Sequence, residues 1–206
     1  MAALTMSQMA ASRYNQIPHI DDQAIPSIAQ LLSVGEILVR HNVHTQFGVH
    51  LLHRHFEIDD ETIMFGFLDG DREYSKMTKV AALDTQKLHP QCFLFDGNEG
   101  FIPYEYKYDE RSDGLTMLPS PLSDDLSKHF KANDLEHLFA IERILADGPD
   151  LNSRFCREYP AEDFATFRIP VDDGMQDIDK DTAWIFQETN DGLVTVQTTC
   201  QWRSNC

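Results

Sequence analysis

The sequence predicts an α+β fold, a single domain whose mainly antiparallel β-sheet is covered by an N-terminal helix and a central pair of helices. Strand-like runs come before and after a helical stretch, which is the arrangement typical of this class. Residues 190–192, Asn-Asp-Gly, form the strongest hairpin signal in the chain. At 206 residues, with 42% hydrophobic residues and 13 Phe, the chain is long and apolar enough to bury one core.

The N-terminal part divides into an arm and a helix. Residues 1–20 are small and polar without a sustained period, so we expect a flexible arm, followed by a single domain over residues 21–206. A helical pattern starts at Ile25, has Pro26 in its first turn and fades near residues 41–42. Its apolar face carries Ile28, Leu31, Leu32 and Leu38.

The next stretch alternates between strands and turns. Residues 101–108 show the clearest two-residue alternation, and the acidic residues 58–60 suit a hairpin turn. Further turns are expected at residues 69–71 and 112–114. The expected strands are 47–56, 61–68, 79–83 and 101–108.

Two helices should follow in the middle of the chain. Ser120 can cap the first of them, and Pro121 suits its first helical position. Asn133 with Glu136 resembles a capping box that restarts a second helix, and Gly-Pro at residues 148–149 ends it.

The last third returns to strands. We expect a strand at 164–171, an acidic loop at 172–181, and a hairpin of strands 183–187 and 193–200 around residues 190–192.

The amino-acid composition limits which partners and which cell compartment we expect for the protein. With 34 acidic and 17 basic side chains the net charge is −17, which repels phosphate backbones and anionic lipids. We therefore expect neither nucleic acid nor a membrane as partner, and no run of 18 apolar residues is present. Four Cys are too sparse for a disulfide framework, and no secretory signal is visible, so a cytoplasmic setting is the expectation.

The best candidate site is a histidine-rich strand. If residues 47–57 form a strand, His53, His55 and Glu57 share one face, about 7 Å between alternate positions. Two imidazoles and a carboxylate suit a divalent metal such as Zn, Fe or Cu, or acid–base catalysis without a metal. His50 falls on the opposite face and is expected to be structural. The competing interpretation is that these histidines are polar residues of a solvent-facing strand.

Three motifs resemble a group of uncharacterised fungal proteins. Residues 51–56, Leu-Leu-His-Arg-His-Phe followed by acids, are similar to their Leu-(Leu/Val)-His-x-His-Phe strand. Residues 102–106, Ile-Pro-Tyr-Glu-Tyr, and residues 182–186, Thr-Ala-Trp-Ile-Phe, are similar to their middle strand and their final hairpin. That hairpin has a late Cys pair, where this chain has the more widely spaced Cys200 and Cys206. The resemblance covers most of residues 28–206 and implies that His53 and His55 are the positions to test.

Together these features predict a small-molecule enzyme of lyase, cyclase or isomerase type in fungal specialised metabolism. It would use His53, His55 and Glu57 on a small organic ligand, with or without a metal. The alternative is a non-catalytic acidic protein that binds a partner or a ligand. The oligomeric state is left open.

Overall fold

The computed structural model describes residues 11–69, 72–108, 117–144, 156–161, 165–170 and 180–202, and it is α+β as expected. Within these ranges, two complete α-helices and the helical residues 11–14 accompany ten strands that form one closed barrel. The helices are α1 (Ile28–Arg40) and α2 (Ser120–Asn133). The strands are β1 (Phe47–Leu51), β2 (Thr62–Asp69), β3 (Arg72–Lys79), β4 (Leu88–Asp96), β5 (Gly100–Tyr108), β6 (Phe139–Arg143), β7 (Cys156–Ala161), β8 (Ala165–Pro170), β9 (Lys180–Glu188) and β10 (Val194–Trp202).

The strands follow the order β1-β6-β4-β5-β2-β3-β8-β7-β10-β9 around the barrel, and β9 pairs again with β1. Eight of the ten neighbouring pairs are antiparallel. The pairs β2–β5 and β7–β10 are parallel, so the sheet is mixed. Each described strand has a neighbour on both sides, and the sheet therefore separates an interior from an outer face.

Both helices pack on the outer face of the barrel, where they form the largest apolar core together with β1, β4, β6 and β9. Leu38 from α1 and Leu126 and Phe130 from α2 are fully buried there. Burying each of these side chains stabilises the fold by roughly 1.5–3 kcal/mol. In the part of the chain that the structure describes, neither helix has the length and apolar character needed to cross a bilayer.

Helix α1 begins three residues later than the pattern indicates. The side chain of Ser27 caps the helix, and Gln30 reaches back to the Ser27 backbone N–H in a capping box. Ile25 and Pro26 therefore precede the helix, and Ile28 is exposed rather than part of the buried face.

The prediction of a second central helix is wrong, because a strand occupies its place. Asp134 ends α2 in the left-handed conformation, with a φ of 55°. Strand β6 then inserts between β1 and β4, with Phe139 and Ile141 in the outer core. Apolar residues in this stretch fit a period of two as well as a helical period, and pairing on both sides decides for the strand. The expected helix end at 148–149 lies outside the described residues.

Several strand bounds also differ from expectation. Strand β1 stops at Leu51 instead of 56, and residues 80–82, expected within a strand, form a 3-10 turn after β3. Strand β4 is not among the strands predicted from the sequence, although it is buried along most of its length. The described residues do not include most of three other expected features, namely the turns at 69–71 and 112–114 and the loop at 172–181.

The described part of the expected flexible arm, from residue 11, is packed against the barrel. Tyr14 is fully buried in a second core that includes Tyr104 and other interior side chains, and the two rings lie 6.3 Å apart. Lys180 Nζ donates to the backbone carbonyls of Ile20, Asp21 and Gln23, with Nζ–O distances of 2.6, 3.0 and 2.8 Å. This segment lies beside the loop that follows β1, next to the candidate site.

Candidate functional site

The barrel interior contains a row of charged side chains contributed by neighbouring strands. Arg168 of β8 lies directly opposite Glu158 of β7 on one side and Glu73 of β3 on the other. Directly opposed residues project from the same face of a sheet, so these three side chains share the interior. Across the barrel, Arg168 Nη1 donates to Glu142 Oε1 of β6 at 3.0 Å, although β6 and β8 are not neighbours.

A loop rather than a strand brings the histidines together. After Leu51 the chain leaves the sheet, and Arg54 Nε donates to the Ile17 carbonyl at 2.8 Å, which ties the loop to the N-terminal segment. His53 Nδ1 donates to the Leu51 carbonyl at 2.7 Å, so the ring turns back toward β1. The loop conformation, not strand alternation, therefore sets where the imidazoles point.

Three imidazoles form a continuous group at this end of the interior. The ring centroids of His50 and His53 are 5.0 Å apart, and those of His53 and His55 are 4.7 Å apart. The indole of Trp202 continues the series, with its ring 4.3 Å from that of His55. His50 and His53 are buried, and the side chain of His55 is 10% exposed.

Glu158 is the carboxylate that meets the histidines. His53 Nε2 lies 3.1 Å from His55 Nε2, and His55 Nε2 lies 3.4 Å from Glu158 Oε1. Glu158 Oε2 is 4.0 Å from His53 Nε2. Two ring nitrogens and one carboxylate thus face a common point between a loop and β7.

Arg168 connects this group to the rest of the interior. Its Nη2 donates to His50 Nε2 at 3.1 Å, and its Nε lies 3.9 Å from Glu158 Oε1. Its side chain and that of Glu142 each keep 14% of their surface accessible to water, whereas Glu158 keeps 5%. Part of the interior is therefore open enough for water to reach the charged groups.

The electrostatics of the interior favour a neutral form for His50 and His53 and a charged form for the ion pair of Glu158 and Arg168. Burial, with the nearby Arg168 cation, lowers the pKa of His50 to about 3. Burial and the neighbouring histidines lower the pKa of His53 well below its usual value. Burial alone would raise the pKa of Glu158, but Arg168 and a hydrogen bond from His55 outweigh it and hold that pKa well below normal.

A second carboxyl, Glu105 of β5, is set to titrate near neutrality. Burial raises its pKa to about 7, and the negative neighbours Glu158 and Glu142 add to this while Arg168 partly offsets it. Glu105 also shares a hydrogen bond with the Cys92 thiol, whose own pKa is raised well above normal, chiefly by burial. Cys92 is therefore a protonated thiol rather than a nucleophile.

Some polar atoms of the cluster have no hydrogen-bond partner although they are buried. They include Glu158 Oε2, His55 Nδ1, Arg168 Nε and the Tyr14 hydroxyl. Buried polar groups are nearly always paired, so these atoms mark a place where a ligand, an ion or water would be stabilised.

The structure brings together two of the three residues selected from the sequence. His53 and His55 lie side by side, but Glu57 is outside the cluster, with 74% of its side chain exposed and its Oε1 3.7 Å from Arg54 Nη2. His50, expected on the opposite face, joins the other two histidines because the chain turns after Leu51. Cys200 is buried against Ala183, and Cys206 lies outside the described residues.

Sequence reasoning missed Glu158, Arg168, Glu142 and Glu105. Arg168 lies 118 positions after the histidine with which it forms a hydrogen bond, so local spacing carries no information on the contact. One signal was present: a lone Arg follows Phe167 and precedes Ile169 in a strand-like run, where a charge needs a buried partner.

Comparisons with known proteins add no assignment, since no family model, no curated protein and no solved structure matches the chain. The function is therefore inferred from the geometry of the barrel interior.

Proposed function

We propose that the barrel interior is the active site of a small-molecule enzyme of lyase, cyclase or isomerase type. The observation that carries the proposal is the convergence of His53, His55, Glu158 and Arg168, from a loop and two strands, on one partly water-accessible interior. Such reactions need positioned groups that accept and donate protons, and imidazoles and carboxyls are the usual ones.

The energetic cost of the cluster supports a functional interpretation. Taking a carboxylate or a guanidinium out of water costs several kcal/mol per ion, and packed apolar residues of similar volume often stabilise a fold as well or better. Glu158 and Arg168 are nevertheless both enclosed, and several polar atoms around them lack partners. A cluster that served stability alone would not need these unpaired atoms.

The groups divide into distinct roles in this proposal. His55 Nε2, beside Glu158 and at the more accessible end of the histidine group, is the residue that exchanges a proton with the substrate. Glu158 replaces Glu57 as the carboxylate that orients it. Arg168 holds the interior carboxylates and His50 in place. The ligand is a neutral or cationic organic molecule, because the chain carries a net charge of −17, which also disfavours nucleic acid and anionic membranes.

A cytoplasmic setting in a fungus, within specialised metabolism, is part of the same proposal. It is supported by the motif resemblance at residues 51–56 and by the scarcity of cysteine, with four Cys in 206 residues.

The test compares variants of the untagged protein in a fungal metabolite extract by mass spectrometry. The wild type should deplete a metabolite and produce either an isomer of it or a product that has lost a neutral fragment. Glu158→Gln and His55→Gln should slow this conversion by about 100-fold or more, the usual contribution of acid–base catalysis. The matched control is His137→Gln, because His137 is exposed. Equal conversion by all four proteins, or none with folded wild type, would contradict the proposal.

The alternative is a non-catalytic protein that binds a partner through its acidic surface. The structure also has a groove of about 350 Å³ between α1 and α2, which is lined by side chains of both charges, such as Arg40 and Asp125, and is a specific place for a partner or a ligand. Binding that weakens steeply with added salt and is unchanged in Glu158→Gln would favour this function over the enzyme.

A further inference from the structure

The spacing of three ligand-type atoms in the interior matches a metal site. Tetrahedral zinc has metal–nitrogen distances of about 2.0–2.1 Å, which separate neighbouring ligand atoms by about 3.3 Å. His53 Nε2 and His55 Nε2 are 3.1 Å apart, and His55 Nε2 is 3.4 Å from Glu158 Oε1. The remaining pair, His53 Nε2 and Glu158 Oε2, is 4.0 Å apart, which a small rotation of the carboxylate closes.

An outer contact orients His53 as metal sites require. A metal-binding imidazole usually donates its other ring N–H to a carbonyl or a carboxylate, which fixes the ring and its tautomer. His53 does this, since its Nδ1 donates to the Leu51 carbonyl and leaves the lone pair of Nε2 directed at His55 and Glu158.

The charges in the interior leave room for a cation. Three carboxylates, Glu73, Glu142 and Glu158, face two cations, Lys107 and Arg168. The Oε2 atom of Glu158 is buried without a partner, and the side chain is 5% exposed. A buried carboxylate oxygen that is left unpaired is costly, and a bound cation would satisfy it.

His50 can supply a fourth ligand. One nitrogen of His50, one of His53 and one oxygen of Glu158 all lie within 4.8 Å of one another. In the structure Arg168 Nη2 donates to His50 Nε2, so that nitrogen becomes available to an ion only when Arg168 releases it.

We propose that His53, His55 and Glu158 bind a divalent first-row transition-metal ion, zinc or ferrous iron, with His50 at the edge of the same site. Two imidazoles and one carboxylate are a donor set that both ions accept, with open positions for water or substrate. The proposal goes beyond the proposed function, because the ion would bind whether or not a substrate is converted. An ion bound to His55 Nε2 would occupy the nitrogen that exchanges the proton in the metal-free protein, so the two roles of this residue exclude each other.

The experiment measures metal binding directly. Untagged protein is stripped with a chelator and titrated separately with Zn²⁺ and, without oxygen, Fe²⁺, while its thermal unfolding is followed. An ion at 100 times its dissociation constant should raise the Tm by roughly 5–10 °C. His53→Gln and Glu158→Gln should bind the ion more than 100-fold more weakly, since loss of an outer contact alone costs 10- to 100-fold. His137→Gln, the exposed control, should bind like the wild type.

Two outcomes of the metal titration would each overturn the proposal. One is a wild-type protein that binds neither ion with a change in Tm, and the other is binding that His53→Gln and Glu158→Gln leave unchanged. If those variants do not fold, His55→Gln gives the same comparison at a less buried position, and X-ray absorption of the loaded wild type counts its nitrogen and oxygen ligands. An environment without imidazole ligands would equally contradict it. Metabolite conversion without metal binding would refute this inference alone and leave the proposed function standing.

Discussion

Replacing Glu105 by Gln should change the pH dependence of stability in a defined direction. Burial raises the pKa of Glu105 to about 7 from a usual 4.5, so the folded state holds this proton over a pH range in which the unfolded state has released it. The stability associated with this group is complete below the unfolded pKa and is lost as pH rises toward the folded pKa. The neutral amide of Gln does not titrate, so the Glu105→Gln variant should not lose stability in this way as the pH rises.

The size of this stability loss follows from how far the pKa of Glu105 is raised on folding. A difference of about 2.5 pKa units corresponds to a loss of about 3 kcal/mol when fully developed, and about 2–3 kcal/mol of this falls between about pH 5 and about pH 8. Relative to the wild type, Glu105→Gln should therefore gain about 2–3 kcal/mol between these two pH values.

Urea unfolding at both pH values measures this change, which corresponds to a midpoint shift of about 1 M. The control is Glu188→Gln, because Glu188 is exposed and its replacement should leave the pH dependence unaltered. The reasoning would be refuted if the difference between Glu105→Gln and the wild type were the same at both pH values, since Glu105 would then titrate alike in the folded and unfolded chains.

Three further substitutions test the charged interior of the barrel and the packing and capping of α1. Arg168→Met should lower the free energy of unfolding in urea by about 3–5 kcal/mol, because it leaves the carboxylate neighbours of Arg168 without this cation. The control is Arg40→Met, at a position that is 61% exposed, which should change stability by less than about 0.5 kcal/mol. Equal effects of the two substitutions would contradict the buried network. Gly35→Ala should cost about 1–3 kcal/mol by calorimetry, because the added Cβ would overlap the Phe186 ring. An unchanged Tm would mean that α1 does not approach β9 so closely. Ser27→Ala should cost about 1 kcal/mol by removing the cap of α1, and Ser27→Asn should restore most of it if capping is the cause.

The parts of the fold that the sequence predicts well are those with local signals. The hairpin of β9 and β10 follows from residues 190–192, where Gly192 takes a φ of +75°. Helix α2 follows from the proline in its first turn, although Ser120 is the first residue of the helix rather than its cap. Pro119 takes the cap position without a side-chain hydrogen bond. The alternation at 101–108 corresponds to β5. In each case the residues that decide the conformation lie within a few positions of one another.

Closure of the barrel and the assignment of β6 depend on contacts that are distant in sequence. An apolar run such as residues 135–145 satisfies both periods, and only pairing with β1 and β4 decides between them. The same applies to the site: a strand through residue 56 would have kept His50 apart from His53, whereas the turn after Leu51 joins them. The carboxylate partner then comes from β7 rather than from the neighbouring Glu57.

The most direct test of the barrel interior as the functional centre is to add small-molecule fragments and to monitor their binding by nuclear magnetic resonance of the histidine rings. Binding fragments should shift the resonances of His50, His53 and His55 and leave that of the exposed His137 unchanged. Fragments that bind only in the groove between α1 and α2, shifting His129 and none of the interior rings, would contradict the account.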